Sequence, residues 1–203
     1  MPPAPAPRVP ALLVIDLQNT LVDIAHRAAE TVGAVAGLCG RARAAGAPVV
    51  FLQQRDEELV PGTEGWRIAA ELGPRDPDLV LPKSSPDGFL DTDLDRVLRE
   101  RGVTEVVVTG FATEFCVDST ARRALALGYD LLLVSDGHTT SVRDEDTAAF
   151  AAAAASIRHH NAIFRTIRFP GRTSRVLPAA EVEFGTHRAH AGGRPRASTP
   201  PDA

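Results

Sequence analysis

Strand-length apolar runs alternate with longer helical stretches six times along this chain, and few folds accept that rhythm. The strand candidates are residues 11–16 (ALLVID), 48–53 (PVVFLQ), 79–82 (LVLP), 105–110 (EVVVTG), 130–135 (DLLLVS) and 162–167 (AIFRTI). Near-continuous Val and Leu content fits burial on both faces, the property of parallel strands covered by helices. Helical stretches fall at 25–45, 93–101, 114–127 and 145–159. Gly46, Gly102 and Gly128 each follow such a run and can take the left-handed conformation that ends a helix. Asp91 and Thr92 are candidate caps for the second stretch. The alternation predicts an α/β fold: a three-layer α/β/α, Rossmann-like, doubly wound six-stranded parallel sheet. Ligands in such folds bind beyond the carboxyl ends of the strands.

The chain has 203 residues, enough for one domain with a full core, and 44% of them are hydrophobic. A formal net charge of -4, from 22 basic and 26 acidic residues that are interspersed, excludes the basic footprint of a nucleic-acid binder. No apolar run approaches the roughly 18 residues of a membrane span. Only Cys39 and Cys116 are cysteines, and the leader MPPAPAPRVP lacks a long apolar segment. A cytoplasmic, reducing location is expected. The domain is expected over residues 11–184, after a flexible leader at 1–10 and before a disordered tail at 185–203. Residues 54–78, with PGTEGW and GPRDPD, break the rhythm as one long loop, which fits either a functional segment or surface filler.

Three residues stand out chemically. Asp16 closes the first strand in VIDLQNTLVD, at the mouth of the sheet, where an aspartate serves equally as a turn former. Lys83 follows the third strand in LVLPKSSPDGF, where Pro82 and the turn-rich SSPDG stiffen its surroundings. Cys116 lies in VVVTGFATEFCVDSTARRALALG, a strand, tight turn and helix in succession. Thr113 fits the N-cap, which places Cys116 in the first turn, where the positive end of the helix lowers a thiol pKa. Cys39, inside an Ala-rich helix, reads as a small buried hydrophobe.

Together VIDLQN, the lysine after the third strand and TGFATEFCVDSTARRA resemble the isochorismatase-like cysteine hydrolases, a family that includes nicotinamidases and carbamoyl-amide, biuret and streptothricin hydrolases. LVPGTEGW and SDGHTT are similar to a metal-free branch. The resemblance implies the isochorismatase-like hydrolase fold and a catalytic triad of Asp16, Lys83 and Cys116. It also implies a cis peptide between Phe111 and Ala112, and an oxyanion hole from the backbone N–H groups of Ala112 and Cys116. The implied activity is cleavage of a small-molecule C–N bond (amide, carbamoyl, urea-like or lactam) through a Cys thioester, with no cofactor. A homo-oligomer, dimer or tetramer, is implied as well.

The metal cluster of nicotinamidases has no counterpart after the second strand. FLQQRDEELVPGTEGW holds no histidine, and Asp56, Glu57 and Glu58 read as a solvated charge run, so no metal is expected. Candidate substrate-binding residues are Gln18, Gln53, Trp66, Phe89, Phe115 and His138. Trp66 fits core capping as well, and His138 a turn role. His159 and His160 read as helix-terminal, as does Glu114. Two alternatives differ in class: an isochorismatase-type enol-ether (C–O) hydrolase, which lacks the cysteine, and a non-catalytic binding protein on the same scaffold. A nucleotide-binding Rossmann protein is disfavoured because LQNT, and no glycine-rich turn, follows the first strand.

Overall fold

The computed structural model describes residues 7–185. Six parallel strands form one sheet in the order β3-β2-β1-β4-β5-β6: β1 Pro10–Ile15, β2 Val49–Gln54, β3 Leu79–Lys83, β4 Glu105–Phe111, β5 Asp130–Thr139 and β6 Ser174–Leu177. The chain winds outward from β1 to β3, returns to the centre at β4 and then winds the other way. The crevice beyond the ends of β1 and β4 is therefore the topological switch point.

Side chains alternate across each strand and feed two separate cores. Leu12, Val14, Phe51, Val107 and Leu132 face one way, against Val35, Leu38 and Cys39 of helix α2 (Ala28–Ala44). Their neighbours Leu13, Ile15, Leu52, Val106 and Leu131 face the other way. These meet Leu94 and Leu98 of α3 (Leu94–Glu100), Ala121 and Leu125 of α4 (Asp118–Leu127), and Phe164 of α5 (Ala153–Thr166). A short α1 (Asn19–Asp23) follows β1. Gly46, Gly102 and Gly128 do have positive φ just past α2, α3 and α4. At α3 the residue entering the helix is Asp93, whose side chain makes no cap; the Thr92 hydroxyl instead accepts from the Leu94 N–H at 3.3 Å.

Three expectations are corrected. Residues 162–167 are not the sixth strand; they end α5. Ala153, Ser156, Asn161 and Phe164 are buried at helical spacing, and a short apolar run does not distinguish strand from helix. The sixth strand is the four-residue β6, too short and polar to stand out. His159 and His160 consequently lie inside α5, not at its end. Lastly, residues 8–10 belong to the folded body. Arg8 pairs with the buried Glu105 at 2.5 Å, the Val9 N–H bonds the Thr104 hydroxyl, and Pro10 opens β1. The expected tail beyond Gly185 lies outside the described residues. Among the described residues, no helix is long and apolar enough to cross a membrane.

Gly110 fixes how closely β1 and β4 approach at the switch point. Its φ is 124°, and a Cβ there would stand 2.0 Å from the Ile15 carbonyl oxygen. Gly110→Ala is therefore expected to cost about 3 kcal/mol or more, read from urea unfolding. Gly33→Ala, on α2 with nothing within 4 Å of the added carbon, should stabilise by roughly 0.5–1 kcal/mol. Similar midpoints for the two variants would contradict this account of the strand contact.

Candidate active site

Three chain segments converge beyond the carboxyl ends of the strands. Asp16 follows β1 with a left-handed φ of 50°, its N–H tied to the Leu52 carbonyl. Aspartate tolerates that conformation better than most residues. Lys83 is the last residue of β3. Cys116 lies in a π-helical turn, Thr113–Val117, that leads directly into α4. The turn hangs from one carbonyl: Ala112 accepts the N–H of Phe115 at 3.0 Å and that of Val117 at 3.1 Å. The peptide between Phe111 and Ala112 is cis, as the resemblance implies.

Lys83 joins the three. Its ammonium is fully buried and donates to Asp16 Oδ2 at 2.7 Å, Gln54 Oε1 at 2.7 Å, the Ser85 carbonyl at 3.1 Å and Cys116 Sγ at 3.4 Å. Asp16 is equally buried, and besides Lys83 the Cys116 thiol and the Gln54 N–H bond its carboxylate. Burial raises the Asp16 pKa above the ordinary carboxylate value, opposed by the Lys83 charge. Burial, and then the negative charge of Asp16, push the Cys116 thiol up to about 12. The expectation of a lowered thiol pKa is thus corrected: burial and the carboxylate together outweigh the lysine. Cys39, sealed in the core, is raised to about 11 by burial alone in the main.

A cavity of about 290 Å³ opens over Cys116. Asp16, Gln54 and Leu59 line it with the Phe111–Ala112 corner and Phe115. Two larger hollows, of about 420 and 360 Å³, lie elsewhere, one along the amino-terminal edge of β1 and β2 and one between α2 and α5. Neither touches Cys116, so the chemistry of the lining, not volume, identifies the site.

The expected lining residues divide. Phe115 is exposed at the cavity wall and meets Phe150 edge-on, with ring centres 5.9 Å apart. The other five do not line it. Gln18 is sealed in; its amide donates to the Gln54 and Trp66 carbonyls and accepts the Gln54 N–H, which leaves little for a ligand. Gln53 donates to the same Trp66 carbonyl. Trp66 itself is half-buried and braces both glutamines through its backbone. Phe89 is in the core, stacked on Tyr129. His138 borders the hollow between α2 and α5, buried between the Thr113 hydroxyl at 2.8 Å and the Asn161 side-chain oxygen Oδ1 at 3.1 Å. Burial pushes its pKa down to about 4, so it is a neutral strut. Thr113 therefore does not cap the helix through its side chain.

Glu114 is more than helix-terminal. It accepts from the Thr140 and Ser156 hydroxyls and from Arg143, tying the π turn to α5 and to the segment before it. The missed residues are Gln54, Asp56 and Glu58. Asp56 is exposed, as expected of a charge run, but tied: one oxygen receives the Glu58 and Leu59 N–H groups, the other the Gln54 amide. Strand alternation could have identified Gln54, since it must point opposite to Gln53. Among the described residues, no group of three or more His, Cys, Asp and Glu side chains is placed to hold a metal ion.

Residues 10–166 match the family model described as the Isochorismatase domain. A streptothricin hydrolase of Streptomyces noursei is 41% identical over 138 residues, 65% of this chain and 50% of that protein. A ureidoacrylate amidohydrolase of Variovorax paradoxus is 32% identical over 192 residues, 67% of this chain and 76% of that protein. The N-carbamoylsarcosine amidase of Thermoplasma acidophilum superposes with a TM-score of 0.70 at 28% identity, covering 86% of this chain and 99% of that one. The chain spans about half the length of the streptothricin hydrolases it matches.

The charges around Cys116 make a signed prediction. Asp16→Asn removes a negative charge that raises the thiol pKa, so the thiolate should appear at lower pH than in the parent. Lys83→Met removes the opposing charge and should move it higher. Ultraviolet thiolate absorbance in a Cys39→Ala background reads both. A higher thiol pKa in Asp16→Asn would mean that the carboxylate does not control this sulfur.

Proposed function

The chain belongs to the isochorismatase family, and on that premise we propose that it is a cysteine hydrolase that cleaves a C–N bond of a small amide, carbamoyl, urea-like or lactam substrate. One observation carries this proposal: a buried lysine bonded at once to a carboxylate and to a thiol, beneath an open cavity. Burying three ionisable groups together costs stability unless they are mutually satisfied, and a binding module has no use for that cost.

Asp16 takes the thiol proton, a task suited to a carboxylate whose pKa burial has raised toward that of its partner. The transfer neutralises the carboxylate and leaves the thiolate facing Lys83 alone, so the charge that opposed ionisation disappears as it happens. The sulfur attacks the carbonyl carbon, and the developing oxyanion meets the N–H groups of Ala112 and Cys116 at the head of the π turn. The C–N bond breaks as the amine leaves with the proton held on Asp16. Water, deprotonated by the same carboxylate, then hydrolyses the thioester and restores the thiol. A thiolate needs a carbonyl carbon, which favours an acyl substrate over an enol ether. The amidase and amidohydrolase names of two relatives point the same way.

A panel of primary amides, ureas and lactams, assayed for released amine, tests the assignment. Cys116→Ala, Asp16→Asn and Lys83→Ala should each lose at least about a hundredfold in kcat, with the folded far-ultraviolet spectrum kept. Turnover near that of the parent in any of the three would remove that residue from the chemistry.

A further inference from the structure

The cavity over Cys116 is charged on one side only. Asp16, Asp56 and Glu58 line it, and no arginine, lysine or histidine does. Lys83 lies beneath the floor and is matched by Asp16 at 2.7 Å, so that pair contributes no net charge. Asp56 and Glu58 then leave two negative charges at the mouth. Among the described residues neither takes part in an ion pair. Arg143, which reaches the Cys116 turn, is already held by Glu114 and the Ala151 carbonyl. Asp56 is fixed in place: the Gln54 side-chain amide links it at 3.0 Å, while Gln54 Oε1 accepts from Lys83 at 2.7 Å. Glu58 shares that turn, its N–H bonded to Asp56, and no side-chain bond ties its carboxylate among the described residues.

A second observation points to what enters. Asp16 Oδ1 is buried and borders this cavity, and the Cys116 thiol bonds the carboxylate there. That carboxylate takes the thiol proton and hands it on, so the leaving nitrogen of the substrate must come to it. Leu21, Leu59, Phe111 and Phe115 give the same cavity an apolar share of its lining. Resting on Cys116 as the nucleophile, we infer that the substrate carries a cationic ammonium or guanidinium group on an apolar stem. The cation sits at Asp56 and Glu58, the leaving nitrogen faces Asp16, and carboxylate-bearing amides are turned away. Hydrogen bonds from Leu59 and Gln54 keep Asp56 below the ordinary carboxylate range, so it stays negative at neutral pH.

Thiol-specific methanethiosulfonates that differ only in the tail test this without needing the true substrate: aminoethyl (cationic), methyl (neutral) and sulfonatoethyl (anionic). In each, the Cys116 sulfur attacks the divalent sulfur of the reagent. A disulfide forms, the bond to the sulfonyl sulfur breaks, methanesulfinate leaves, and the thiol proton goes to Asp16. Rates are normalised to those with 2-mercaptoethanol, and Cys116→Ala verifies the site of labelling. The cationic reagent should exceed the anionic one by at least about tenfold at low salt, the size expected for two charges several ångströms away in water. The ratio should collapse toward one in molar salt and fall about threefold in Glu58→Gln. Equal normalised rates, or an anionic preference, overturn the charge assignment while the nucleophile stands. Failure of the neutral reagent to label Cys116 overturns the nucleophile, and this inference with it.

Discussion

A lysine ammonium with no exposed surface must be held by an opposite charge and by acceptors for its hydrogens, because an unpaired ion in the interior costs several kcal/mol. In this protein that requirement organises the carboxyl ends of the sheet. Lys83 at the end of β3 draws Asp16 from beyond β1, Gln54 from the end of β2 and Cys116 from beyond β4 onto one nitrogen. The strand order places these ends side by side. Gly110, with no side chain, lets β1 and β4 close up above them. The pair is also the electrostatic setting of the sulfur. Asp16 disfavours the thiolate and Lys83 favours it, so moving one proton from sulfur to carboxylate exchanges two opposed influences for one favourable one.

The architecture was legible because parallel strands buried on both faces leave continuous apolar runs, and helices between them leave longer periodic ones. Five strands and the order of elements follow from that contrast. The sixth strand did not. Residues 162–167 have a strand's composition, yet α5 runs through them, since Phe164 completes a helical stripe against the sheet. β6 has only four residues, at the sheet edge, and edge strands carry a weak hydrophobic signal.

Within the site, Asp16, Lys83 and Cys116 were legible because each sits at a strand end inside a recognisable motif. The lining was not, because nearness to a strand end says nothing about direction. Gln18, Gln53 and His138 lie close to the site in sequence, but their polar groups satisfy buried backbone or side chains instead. In the opposite sense, Asp56 and Glu58 are exposed, as a solvated run should be, yet the turn closed by the Leu59 N–H also sets them at the cavity. The π turn was also out of reach: TEFCV suits an ordinary first helical turn, and only the shared Ala112 carbonyl reveals the wider one.

The central claim is that the sulfur of Cys116 becomes covalently bonded to the acyl half of the substrate. Enzyme quenched in acid during turnover of an amide substrate, digested and examined by mass spectrometry, tests it directly. The account predicts an acyl mass increment on the peptide that carries Cys116, formed and lost at rates compatible with turnover. Amine release with no adduct on that peptide, under any quench, would contradict it and point to direct attack by water.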